Sequence, residues 1–120
     1  MLVPWWWPFG RVEEITPLSL QEKIGNGARF QVLDVREPFE FEEGHVRGAV
    51  NVPIQNLPRV VDTLGLDPDR PIVAVCLSGH RSKPAFRLLK RKGYQIVYSL
   101  SGGMLSWRRL GLPTTRNGAS

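Results

Sequence analysis

The stretch Ile72-Val73-Ala74-Val75-Cys76-Leu77-Ser78-Gly79-His80-Arg81-Ser82 decides the fold. Its first half is an unbroken apolar run, the pattern of a strand buried on both faces of a parallel sheet. Its second half reaches a helix within a few residues. Ser82 is placed to cap that helix, Pro84 falls in its first turn, and Ala85, Leu88 and Leu89 form an inner stripe that Gly93 ends. A central strand feeding a helix through so short a loop is the junction of an α/β sheet, with ligands expected beyond the carboxyl ends of its strands.

The flanking chain repeats the alternation. Val12 to Ile15 reads as a short strand ended by Thr16-Pro17. Ser19-Leu20-Gln21-Glu22 has capping-box form, which predicts a helix to Gly25 with Leu20 and Ile24 facing inward. Phe30 to Val35 is strand-like, and Glu37-Pro38 opens another helix. A brief strand is expected around Ala49 to Val52. Leu57, Val60, Val61 and Leu64 then line one helix face, with Asn56 as cap and Gly65 as stop. Gln95 to Leu100 reads as a strand, and Gly102-Gly103 precede a short helix holding Trp107. The expectation is an α/β three-layer domain with a mostly parallel central sheet and helices on both faces.

At 120 residues the chain suits one domain, and 42% hydrophobic with 22% charged residues is a globular balance. Residues 1–11 form a Trp-rich extension, 12–112 the domain, and 113–120 a tail expected to be loose. No apolar run approaches a membrane span, and the prolines in Met1 to Gly10 argue against a signal peptide, so a cytoplasmic location is expected. Trp5, Trp6 and Trp7 suit a membrane surface, a partner, or a fold back over the domain.

The net charge is +5, and six of the sixteen basic residues fall between Arg81 and Lys92. That attracts anions, but without basic and aromatic interleaving nucleic acid is not an expected partner. A single cysteine forms no internal disulfide. It is either a buried apolar residue or a reactive thiol. Its position decides for the second. A loop this tight wraps backbone N–H groups of residues 77 to 82 into a nest backed by a helix N-terminus, which suits an anion and favours a reactive thiolate at Cys76. Gly79 permits the conformation such a turn needs.

Taken with this loop, Leu33-Asp34-Val35-Arg36-Glu37 and Gly44-His45-Val46-Arg47-Gly48-Ala49-Val50-Asn51-Val52-Pro53 resemble the upstream signature of rhodanese domains. Gly93-Tyr94 and Leu100-Ser101-Gly102-Gly103 with Trp107 follow in that family's order, so the resemblance spans Val12 to Leu112. It implies a sulfurtransferase without cofactor or metal. A small anionic donor, thiosulfate or a persulfide, gives its outer sulfur to Cys76, and cyanide or a thiol acceptor (glutathione or a thioredoxin-like protein) removes it. The persulfide would sit among Leu77, Ser78, Gly79, His80, Arg81 and Ser82. Arg81 is placed to bind a sulfonate through paired N–H donors, or is a surface charge on the first helical turn.

Only four residues separate Cys76 from Arg81. Related phosphatases and arsenate reductases have five, so the shorter loop resembles the sulfur-transfer form. Asp34 and Arg36 resemble the family's structural pair, holding loops or touching substrate. His80 adds positive charge or assists an acceptor, or is an exposed spectator. His45 is expected to satisfy turn hydrogen bonds, and Glu40, Glu42 and Glu43 to form a solvated acidic face. The competing class is a rhodanese-like binding or regulatory module without turnover.

Overall fold

The structure, a computed structural model, describes residues 11–116. Trp5, Trp6 and Trp7 lie outside the described residues, as does the end of the tail. Strands and helices alternate as β1 (Glu14–Ile15), α1 (Pro17–Gly25), β2 (Gln31–Asp34), α2 (Pro38–Glu43), β3 (Val50–Asn51), α3 (Leu57–Val60), β4 (Ile72–Val75), α4 (Ser82–Arg91), β5 (Val97–Leu100) and α5 (Gly103–Arg109). A 3-10 turn over Val61–Thr63 extends α3. The strands form a sheet in the order β1-β5-β4-β2-β3, with every pairing parallel.

Side-chain alternation along β4 divides the core. Ile72, Ala74 and Cys76 face the α3 and α4 layer, where Leu57, Val61, Ala85, Phe86 and Leu89 pack. Val73 and Val75 face the opposite layer, with Leu20 of α1 and Met104 and Trp107 of α5. All four β4 residues are buried, as an apolar run without polar alternation requires. The first residue after this strand is Cys76.

Several local expectations are corrected. Thr16, not Ser19, caps α1: its Oγ1 accepts from Ser19 N–H at 3.1 Å, and Pro17 occupies the first turn. Asn56 makes no side-chain cap to α3; its Oδ1 instead accepts from Arg59 Nη2 at 3.0 Å. β5 begins at Val97, because pairing with β4 starts at the Ile72–Val97 register. In the described part of the tail, Thr115 exchanges backbone hydrogen bonds with His45 at 2.9 and 2.8 Å. Trp107 Nε1–H adds a bond to Pro113 O at 2.9 Å, since a buried indole needs an acceptor.

Candidate active site at the end of β4

Cys76 follows the central strand and is 1% exposed. Chain reversal at Gly79, with φ +101°, brings the Gly79 N–H back to Cys76 Sγ at 2.9 Å. That backward turn lies in the left-handed region, where glycine meets no Cβ penalty. A negative sulfur at this place has a backbone donor and the N-terminal end of α4 beside it.

Ser82 was expected to cap α4. The structure puts Arg81 at the cap position and Ser82 at the first helical residue, fully buried. Its hydroxyl points under the loop, where it lies 3.5 Å from Cys76 Sγ, 3.2 Å from Gly79 O and 2.6 Å from Ser99 Oγ. A Ser82 hydroxyl beside the sulfur can accept from a thiol or turn its hydrogen toward a thiolate.

The loop is also held from α5. Met104 N–H and Leu105 N–H donate to the Cys76 and Leu77 carbonyls, both at 2.9 Å. Gly103, with φ +58°, makes this approach possible, and Gly102, with φ +71°, precedes it against Ser106. Sequence reasoning quoted both glycines but gave them no role at the site. The signal was present: two consecutive glycines after a strand mark a close backbone approach as well as a turn.

Arg81 reaches from the loop toward α2. Its Nη1 and Nη2 donate to the two carboxylate oxygens of Glu40 at 2.8 and 2.9 Å, a bidentate pair. Glu40 is thereby a correction, since it was expected on a solvated face. Its side chain is only 13% exposed, and Oε1 also accepts the Glu37 N–H at 2.9 Å in the first turn of α2. Glu42 and Glu43 are exposed. The hydrogen bond from Arg81 holds the Glu40 carboxyl below its ordinary value, opposed by burial. The same bond holds the Arg81 guanidinium above its ordinary value, with a smaller contribution of the same sign from Cys76. Arg81 is therefore carried on the cysteine loop with its Nη1–Nη2 edge already occupied by Glu40.

Asp34 and Arg36 form a buried pair behind this arrangement, with Nη2 to Oδ2 at 2.8 Å and Nε to Oδ1 at 2.9 Å. Arg36 also donates to Gly44 O at 2.8 Å, and Asn51 Nδ2 donates to the Asp34 and Arg36 carbonyls at 3.0 and 2.9 Å. Both charged residues are 0% exposed, so their bonds join β2, the end of α2 and β3 instead of facing solvent. His45 stacks on Phe41 at 3.6 Å, and its Nδ1 lies 2.7 Å from Phe41 O. His80 and Ser78 are exposed, with Nδ1 and Oγ 3.0 Å apart. Among the described residues no three His, Cys, Asp or Glu side chains are grouped to hold a cation, and no helix is long and apolar enough to cross a membrane.

The family model described as the Rhodanese-like domain matches residues 16–110. A protein named sulfurtransferase from Allochromatium vinosum is 33% identical over 102 residues, covering 85% of this chain and 94% of its own. The thiosulfate sulfurtransferase GlpE of Pseudomonas aeruginosa is 32% identical over 106 residues, covering 88% and 93% respectively. Among solved structures, a rhodanese-related protein from Thermoplasma volcanium superposes with a TM-score of 0.77 at 32% identity, covering 86% of this chain and 97% of that one.

Proposed function

This chain belongs to the rhodanese-like domain family, and on that premise we propose that it transfers sulfane sulfur through a persulfide on Cys76. The observation that carries the reading is the Gly79 N–H donated to Sγ at 2.9 Å, at the carboxyl end of the most buried strand. Relatives named sulfurtransferase and thiosulfate sulfurtransferase support the same class.

In the first half-reaction the Cys76 thiolate attacks the outer sulfur of the donor. An Sγ–S bond forms, the donor S–S bond breaks, and its electron pair leaves on sulfite or on a thiolate. In the second half, cyanide or an acceptor thiolate attacks that outer sulfur and returns the Cys76 thiolate. Glutathione or a thioredoxin-like protein suits the acceptor role. The carried sulfur extends about 2 Å beyond Sγ. Leu77, Ser78, Gly79, His80, Arg81 and Ser82 are the loop residues that would surround it, and the Gly79 N–H is the one already at Sγ. Ser82 Oγ, 3.5 Å from Sγ, supplies a further polar contact, and Arg81 on the same loop supplies positive charge.

The test is thiosulfate-to-cyanide transfer by the wild type and Cys76→Ala, with intact-mass detection of the sulfurated chain. Turnover with one added sulfur, lost in Cys76→Ala, supports the proposal. If neither thiosulfate nor a low-molecular-weight persulfide loads Cys76, sulfur transfer is the wrong reading and a binding module replaces it.

A further inference from the structure

Building on the sulfur-transfer reading, we infer that Glu40 selects the donor: by occupying the Arg81 fork, it disfavours sulfonate-bearing donors such as thiosulfate and favours persulfides of thiols. Both terminal nitrogens of Arg81 already hold both oxygens of Glu40. A sulfonate would seek the same paired donors, because carboxylates and other oxyanions take the guanidinium fork in the same manner. The Nη1–Nη2 edge cannot serve both, and the remaining Nε–Nη2 edge shares with it the nitrogen that Glu40 Oε2 holds. A thiosulfate dianion approaching Cys76 therefore meets a neutralised arginine and the carboxylate that neutralises it.

Glu40 is not a loose surface acid that a donor brushes aside. Its Oε1 also accepts the Glu37 N–H at 2.9 Å, which fixes the carboxylate to the first turn of α2, and the side chain is 13% exposed. Displacing it leaves a largely covered carboxylate without its cation. A persulfide makes no such demand. The protonated persulfide R–S–SH carries no oxyanion at its sulfurs, so its transfer does not call on the guanidinium fork. Attack by the Cys76 thiolate on the outer sulfur of R–S–SH forms Cys76–S–SH and releases R–S⁻, so the step balances without an anion site.

Glu40 touches no reacting atom here and acts through Arg81, as a positioning residue that sets specificity. The experiment compares wild type, Glu40→Gln and Glu40→Ala for transfer from thiosulfate and from glutathione persulfide. It separates kcat from KM and reads Cys76 loading by intact mass. In Glu40→Gln the amide oxygen still accepts the Glu37 N–H, so the helix turn is kept while the charge is removed. The expected result is about a tenfold or larger rise in kcat/KM for thiosulfate, carried mainly by KM, because a freed fork now binds the sulfonate bidentately. Persulfide transfer stays within about twofold, and the thiosulfate gain disappears when Arg81→Ala is combined with Glu40→Gln.

Three results overturn the inference. One is an unchanged kcat/KM with each of the two donors in both variants. The second is a parallel fall with both donors, which makes Glu40 a brace for Arg81. The third is a gain that survives in the double variant. If no donor loads Cys76 in any form of the protein, sulfur transfer itself falls, an outcome distinct from these three.

Discussion

Gly103 lies so close beneath the cysteine loop that a Cβ at this position would overlap the carbonyl oxygens of both Cys76 and Leu77. The backbone there is left-handed, with φ +58°, and the two residues after it donate N–H groups to those carbonyls. The first turn of α5 thus holds the cysteine loop from below.

Gly103→Ala is expected to lower stability by about 2–4 kcal/mol, since it combines a strained φ with backbone overlap. Because the overlap falls on the Cys76 and Leu77 peptides, loading of Cys76 should fall in the protein that remains folded. Urea unfolding and intact-mass loading on the same sample measure the two effects. A variant as stable and active as the wild type would mean that the loop has room to move.

Ser82→Ala removes a buried hydroxyl that contacts Ser99 Oγ at 2.6 Å and Gly79 O at 3.2 Å. Stranding a buried Ser99 hydroxyl costs about 1–3 kcal/mol. The sulfur also loses its neighbour at 3.5 Å, so slower sulfuration than in the wild type is expected. Stopped loading assays at a fixed temperature below both melting transitions separate the stability loss from the kinetic one.

The Asp34–Arg36 pair predicts the largest loss. Removing one member of a fully buried ion pair leaves the other uncompensated, at a cost of about 3–5 kcal/mol. Asp34→Ala and Arg36→Ala should both express poorly and melt early, with the fold restored little by high donor concentration. Full stability in either variant, read by chemical denaturation, would contradict the burial described here.

The Glu40–Arg81 pair adds a pH dependence with a definite sign. The folded Glu40 carboxyl titrates below its ordinary value because Arg81 donates to it. Its contribution to stability is therefore complete above the ordinary, unfolded-chain value and is lost as pH falls through the lowered, folded one. The wild type should lose stability toward Glu40→Gln on acidification, and the two curves should run parallel near neutral pH. Denaturant midpoints taken from neutral to acidic pH test this, and curves parallel throughout would rule out the pairing as a source of acid sensitivity. Salt should weaken the difference only modestly, as the carboxylate is largely covered.

Much of this molecule was legible along the chain. The run from Ile72 to Val75 reads as a doubly buried strand because it lacks polar alternation, and the structure buries all four residues. The tight passage from Cys76 to Ser82 placed a lone thiol at a strand's carboxyl end for the same local reason: too few residues intervene to carry it elsewhere. Leu20, Ala85 and Leu89 took the inner positions that helical spacing assigned to them, while Ile24 and Leu88 are only partly buried.

Partnership across distance could not be read in this way. Glu40 and Arg81 are 41 residues apart, and although Glu40 caps the first turn of α2 locally, nothing near it in the chain shows that its carboxylate meets Arg81. The pair exists because β2 and β4 are neighbours in the sheet, so α2 and the cysteine loop leave from adjacent strand ends. Ser82 shows the same limit. Its residue type suits a helix cap, but its place one residue inside α4 turns the hydroxyl toward Ser99 and the sulfur. Local propensity and hydrophobic period determined where the strands, the helices and the thiol lie, because those depend on near neighbours. Which charges meet, and which hydroxyl faces the sulfur, was decided only when parallel strands distant in the chain were set side by side.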